Sequence, residues 1–142
     1  MTSTGTKGVS RFDGHPLEAI RSLDYTILFA RDMGQMRAFY GEVMRFPLYN
    51  VLSDDWVEYR VGANLLALSR AGRHLADPIP AVGVAMAQLA FRVRREEVDR
   101  CAAALADAGV AVIGNPTDRA WGHRTLFFRD PDGNLLEIYA DL

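Results

Sequence analysis

A carboxylate, an amide and a phenol stand at matched positions of an internal repeat, and these groups are the best placed in the chain to do chemistry. Glu137 lies in "DGNLLEIY" (132–139), which is echoed by "GANLLALS" (62–69); aligning Asn64 with Asn134 sets Ala67 opposite Glu137. Successive side chains of a β-strand alternate between its two faces. If Leu136 and Ile138 lie under a helix, then Leu135, Glu137 and Tyr139 point the other way, and the repeat carries Leu65, Ala67 and Ser69 with them. The same alternation, with Leu89, Phe91 and Val93 on the helix side, turns Gln88 and Ala90 inward, and with them Tyr25 and Ile27 of the first copy. Tyr25, Ala67, Gln88 and Glu137 are thus four equivalent inward positions. A carboxylate withdrawn from water has a raised pKa and serves as a general base, while an amide and a protonated phenol hold a ligand by hydrogen bonds.

Other residues extend the candidate binding set. Glu137 either meets a ligand or is neutralised by an inward arginine, with Arg124 as the candidate partner, because a buried carboxylate needs one. Trp56 and Trp121 either stack on a ligand or pack within hairpins; His123, beside Trp121 at a strand entrance, is either surface or ligand border. Tyr139 shares the face of Glu137, whereas His15 and His74 fall in a tail and a linker and are expected to be solvated. Cys101 lies on a helical core stripe, which fits packing better than a reactive thiol. The chain holds no phosphate loop, nucleophile elbow or CxxC pair.

The elements that must position these groups form two similar units. "LDYTILFA" (23–30) reads as a strand, and Asp32 with Gln35 offers an N-cap and capping box for a helix whose stripe is Met36, Phe39, Tyr40 and Val43. Short β-type runs follow at 46–52, 55–61 and 64–69, divided by turn signals at Ser53-Asp54 and Gly62-Ala63. After a linker at 71–86 the pattern restarts: a strand at 87–93, a helix at 95–109 with Gly109 as its C-cap, and strands at 110–116, 123–129 and 134–140. The last two strands are joined by "DPDGN", where Pro131 presets φ, Asp132 caps locally and Gly133 takes a positive φ. Gln88 lies 63 residues after Tyr25 but Asn134 lies 70 after Asn64, so about seven residues are added in the second unit, placed around "TDRAWG". The fold class is α+β: two βαβββ modules, about 22–70 and 87–141, pairing into an open, cleft-forming mixed β-barrel after an N-terminal tail and short helix at 1–21.

Composition bounds the partners. The 142 residues are 49% hydrophobic and 24% charged with a net charge of −2, enough for one packed domain. Acids and bases are interspersed, so neither nucleic acid nor an anionic membrane is an expected partner. The apolar runs are far shorter than the ~20 residues of a membrane span, and the first residues lack the apolar segment of a signal peptide; a cytoplasmic location is expected. A single cysteine excludes an internal disulfide and fits a reducing compartment.

Over about residues 22–141 the sequence resembles the vicinal oxygen chelate superfamily, which holds glyoxalase I, extradiol dioxygenases, fosfomycin-resistance enzymes and bleomycin-resistance proteins. The resemblance rests on "RDMGQMRAFYGEVMRF", similar to the family's Asp, Phe-Tyr, Leu-Gly-Phe pattern, and on "WGHRTLFFRDPDGNLLEIYADL", which looks like its closing segment. Met44-Arg45 departs from the usual Leu-Gly, and arginine tolerates a left-handed helix cap poorly. In metal-dependent members, the resemblance implies, the four inward positions hold His or Gln, Glu, His and Glu and bind a divalent ion. Here they are Tyr25, Ala67, Gln88 and Glu137, of which only Glu137 matches cleanly. A catalytic ion takes three protein ligands, so no cofactor is expected. The implied function is that of a small-molecule-binding protein with a degenerate metal site, which sequesters or presents an organic ligand. The alternative is a glyoxalase-, lyase- or dioxygenase-type enzyme using an atypical Tyr25, Gln88 and Glu137 set, with or without a divalent metal. The resemblance also suggests a homodimer.

Overall fold

The computed structural model describes residues 14–72 and 78–142; His74 and the tail before residue 14 lie outside the described residues. Pro16–Ala19 forms a single 3-10 turn, after which the first module runs β1 (Tyr25–Ala30), α1 (Met33–Ala38), β2 (Leu48–Ser53), β3 (Trp56–Val61) and β4 (Asn64–Arg70). The second runs β5 (Gln88–Arg92), α2 (Glu97–Asp107), β6 (Val112–Asp118), β7 (His123–Arg129) and β8 (Leu135–Asp141). Each module is a four-stranded mixed sheet, ordered β1-β4-β3-β2 and β5-β8-β7-β6. The first strand pairs in parallel with the last and the others are antiparallel. This is the expected pair of βαβββ units, with the sheets open.

Register confirms the repeat residue by residue. Tyr25 lies opposite Leu65 and Ile27 opposite Ala67 in the first sheet; Gln88 lies opposite Leu135 and Ala90 opposite Glu137 in the second. One of the added residues falls elsewhere than expected. Phe127 pairs with Glu137 and Glu58 with Ala67, spans of ten and nine residues, so the β7–β8 turn is longer by one.

The helix ends show how local chemistry shapes each unit. Asp32 caps α1 as its sequence predicts, its Oδ1 accepting from the Gln35 backbone N–H at 3.0 Å. Downstream α1 widens into a π turn at Phe39–Val43. Arg45 then takes the left-handed conformation, φ 62°, that glycine would adopt without strain. Its Nε donates to the Glu42 carbonyl at 2.9 Å, and Phe46 N–H reaches the Tyr40 carbonyl at 3.1 Å. The second helix begins at Glu97, later than expected, and ends with Gly109 at φ 81°. There Gly109 and Val110 donate to the Ala106 and Leu105 carbonyls, the paired bonds of a Schellman motif.

One cluster of buried side chains runs through both modules, from Leu28, Met36, Tyr40 and Leu68 to Val98, Leu126, Phe128 and Leu136. Aromatic contacts stitch the halves: Phe39 lies 6.4 Å from Phe128 and Phe46 lies 5.5 Å from Phe91. The modules therefore meet through their helix-bearing sides. Polar groups join them too. The Tyr40 hydroxyl donates to Asp130 at 2.7 Å, and the Arg31 guanidinium donates to Asp132 and to the Pro80 and Ala81 carbonyls. In the "DPDGN" turn the local cap is Asp130, which accepts from the Asp132 and Asn134 backbone N–H groups. The expected local role for Asp132 is thus corrected: its carboxylate reaches across 101 residues to Arg31 instead.

Candidate functional site

The sheet face away from the core carries the residues that alternation assigned to it. In β8, Leu136, Ile138 and Ala140 are buried while Leu135, Glu137 and Tyr139 are half-buried on the opposite side. A cavity of about 430 Å³ opens there, lined by Gln88, Ala90, Trp121, His123, Phe127, Glu137 and Tyr139. That volume suits a small organic ligand. Glu137 accepts a long hydrogen bond, 3.4 Å, from Gln88 Nε2. Among the described residues no cation lies within ion-pair distance of Glu137.

The aromatic walls are polarised by nearby charges. His123 packs on Tyr139, ring centroids 4.6 Å apart, and its Nε2 lies 3.4 Å from Asp141. Arg92 sits over the Tyr139 ring at 4.8 Å and pairs with Asp141; that hydrogen bond and charge hold its guanidinium above the usual arginine range. Arg119 lies 5.8 Å from the Trp121 ring and 5.6 Å from Phe127, and donates to the buried Thr125 hydroxyl. Trp121, 64% exposed, forms the rim.

Arg124 is not part of this cavity, and its expected pairing with Glu137 is corrected. It lies opposite Ala140 in the sheet, hence on the helix side, where it holds Asp118 and Asp99. Those two carboxylates, Asp118 first, raise its guanidinium pKa further. The four equivalent positions are likewise not gathered into one space. Gln88 and Glu137 share the cavity, but Tyr25 and Ala67 are not among its lining; Tyr25 is 45% exposed on β1 of the other sheet and Ala67 is fully buried in β4. The two modules are joined through their helix sides, which leaves each outer sheet face to itself.

Sequence reasoning missed Glu58. Cross-strand pairing with Ala67 puts it on the outer face of the first sheet, buried to 4% exposure, where its Oε2 accepts from the Trp56 indole N–H at 2.7 Å. The signal was present: a two-residue turn at Gly62-Ala63 sets Val61 opposite Asn64 and therefore Glu58 opposite Ala67. Trp56 packs on its own strand through that bond rather than at the second-module cavity. Cys101 is half-buried, and burial, with Glu97 nearby, pushes its thiol up. A larger groove of about 540 Å³ lies along α1, lined by Arg37, Glu42, Phe46 and Tyr59; it holds none of the residues that strand alternation singled out.

The profile of the Glyoxalase/Bleomycin resistance protein/Dioxygenase superfamily matches residues 22–138, and the chain belongs to that superfamily. It is 40% identical over 61 residues to the protein YraH of Bacillus subtilis (strain 168), a stretch covering 42% of this chain and about half, 48%, of that relative. Among solved structures it is similar to a glyoxalase/bleomycin resistance protein/dioxygenase from Nocardioides, with TM-score 0.80, 18% identity, and 97% and 94% of the two chains covered. A lactoylglutathione lyase from Agrobacterium tumefaciens superposes with TM-score 0.70 at 23% identity, covering 86% of this chain and 95% of that one. At these identities the structural likeness concerns the fold.

Members of the superfamily often bind divalent metals. The residues present here do not fit such an ion. Ala67 offers no donor atom, Tyr25 lies on the other sheet, and Gln88 with Glu137 supplies one weak amide and one carboxylate where three strong donors are needed. Among the described residues no three His, Cys, Asp or Glu side chains come together to hold a metal. Nor is any described helix long and apolar enough to cross a membrane.

Proposed function

We propose that this chain binds a small organic molecule in the cavity at Gln88 and Glu137, sequestering or presenting it without a tightly held transition metal. The observation that carries this reading is the pairing of an aromatic-walled cavity of about 430 Å³ with a Gln88–Glu137 polar pair and no complete donor set. Tyr139, Phe127 and Trp121 supply apolar and stacking surface; Glu137 and Gln88 fix orientation by accepting and donating hydrogen bonds. A second reading, a lyase- or dioxygenase-type enzyme in which Glu137 acts as a general base, is favoured by one fact: no described cation neutralises that carboxylate. In that case the Gln88 amide orients the base, and the substrate's acidic proton must sit within hydrogen-bond reach of a Glu137 oxygen.

The working state in this proposal is a homodimer. Its support is the superfamily membership, which implies a homodimer by resemblance. A thermal-shift screen of aromatic metabolites and antibiotics, repeated on Glu137→Gln, tests the binding reading. A ligand at 100 times its Kd stabilises by about 2.7 kcal/mol, and the substitution weakens that shift. A broad screen that moves no melting temperature contradicts the proposal, and turnover of a screened compound that Glu137→Gln abolishes favours the enzyme.

A further inference from the structure

The outer face of the first sheet holds a buried carboxylate that no cation among the described residues balances. In the second module the carboxylate is on β8 (Glu137) and its cross-strand neighbour on β7 is Phe127; in the first, β4 carries Ala67 and its neighbour on β3 is Glu58. Acid and apolar residue have exchanged strands, a displacement of about 4.8 Å, one strand spacing. Glu58 is 4% exposed and, among the described residues, accepts its hydrogen bond from a neutral donor, the Trp56 indole. No cation among the described residues lies within ion-pair distance of it. Arg60, two residues along on the same face, lies over the Tyr49 ring at 4.5 Å instead. A buried carboxylate without a cation is unfavourable unless something else brings the charge.

A second observation points to the same spot. Ser69 pairs with Trp56 across β3 and β4, on the face that carries Glu58. Its hydroxyl is wholly buried and, among the described residues, has no hydrogen-bond partner. Around these two groups stand the Trp56 indole and, on β1, Ile27 and Phe29, which are 40% and 50% exposed. Carboxylate, free hydroxyl and aromatic wall are the elements that recognise an ammonium group on an apolar body: ion pair, hydrogen bond and cation–π contact.

We propose that Glu58, Ser69 and Trp56 form a recognition niche for a primary ammonium group, separate from the cavity at Glu137. It does not depend on the ligand proposed for that cavity. The test uses benzylammonium chloride and its neutral counterpart, benzyl alcohol, at fixed ionic strength. The chain has two tryptophans, so Trp121→Phe leaves Trp56 as the sole indole, and its N–H resonance and fluorescence report the niche. The expected result is a saturable shift of the Trp56 indole N–H by benzylammonium, with benzyl alcohol about tenfold weaker or more. Glu58→Gln should bring the two probes to parity, and Ser69→Ala should weaken benzylammonium alone. Absence of a saturable shift, equal affinity of the two probes with Glu58 intact, or a charge preference that survives Glu58→Gln overturns the proposal. If Glu58→Gln shows no cooperative unfolding transition, the preference between the two probes with Glu58 intact decides by itself.

Discussion

The turn that enters β4 and the turn that enters β8 hold the same place in the two modules, yet they are built on different physics. The first is a two-residue reversal, with Gly62 at φ 58° and Asn64 exposed. The second buries Asp130, Asp132 and Asn134 and sends bonds to both ends of the first module's helix region, to Tyr40 and to Arg31. One module closes its sheet with a local turn; the other uses its turn to fasten the two halves together. The outer faces differ in the same sense. The second module has Gln88 and Glu137 at a cavity, while the first carries Ala67 at the position that matches Glu137 and holds its carboxylate one strand away.

The sharpest way to break this comparison is to remove Asp130. Asp130→Ala strips the partner from the Tyr40 hydroxyl, two backbone N–H groups and the Asn134 amide, and should cost at least about 3 kcal/mol in urea unfolding. Asn64→Ala, at the equivalent turn, should stay within about 0.5 kcal/mol. Equal losses would refute the division of labour between the turns.

Alkaline titration probes the same junction. Burial first, then the charge and hydrogen bond of Asp130 and the charge of Asp132, push the Tyr40 phenol above its ordinary range. The unfolded chain ionises at about pH 10, so stability is fully present below that pH and falls as pH rises beyond it. Tyr40→Phe should flatten that alkaline fall, as followed by urea midpoints between neutral and alkaline pH; an unchanged slope would remove Tyr40 from the account.

A smaller effect separates the helix ends. Arg45 and Gly109 both sit at positive φ. Arg45→Gly should gain up to about 1 kcal/mol and Gly109→Ala should lose about 1 kcal/mol, read as opposite shifts in Tm. Least of all, the Cys101 thiol should resist iodoacetamide at neutral pH in the folded protein and react on unfolding, since its burial keeps it protonated.

How much of this was legible in the sequence follows from the range of each interaction. Strand parity in β8 was readable because Leu136, Ile138 and Glu137 alternate without a bulge, and the repeat then fixed β1, β4 and β5. Arg124 was readable by the same rule, since it shares parity with Leu126 and Phe128, which are buried on the helix side. Glu58 was obscured by its neighbours, because Trp56, Val57 and Tyr59 put apolar groups on both faces of β3. Nothing local in Arg31 or Asp132 announces a contact across 101 residues, which depends on how the modules dock. For the same reason alternation placed Tyr25 and Glu137 each on an outer face, while the docking of helix sides kept those faces apart.

Metal content tests the central claim most directly: that, with no donor atom at Ala67, Glu137 serves as a ligand contact and not as part of an ion site. Protein purified without chelators should carry Zn, Ni, Mn and Fe each far below one ion per chain, and added metal should neither bind stoichiometrically nor raise Tm, because one carboxylate and one amide cannot hold such an ion against competition. One ion per chain that disappears in Glu137→Gln would contradict the account and move the enzyme reading to first place.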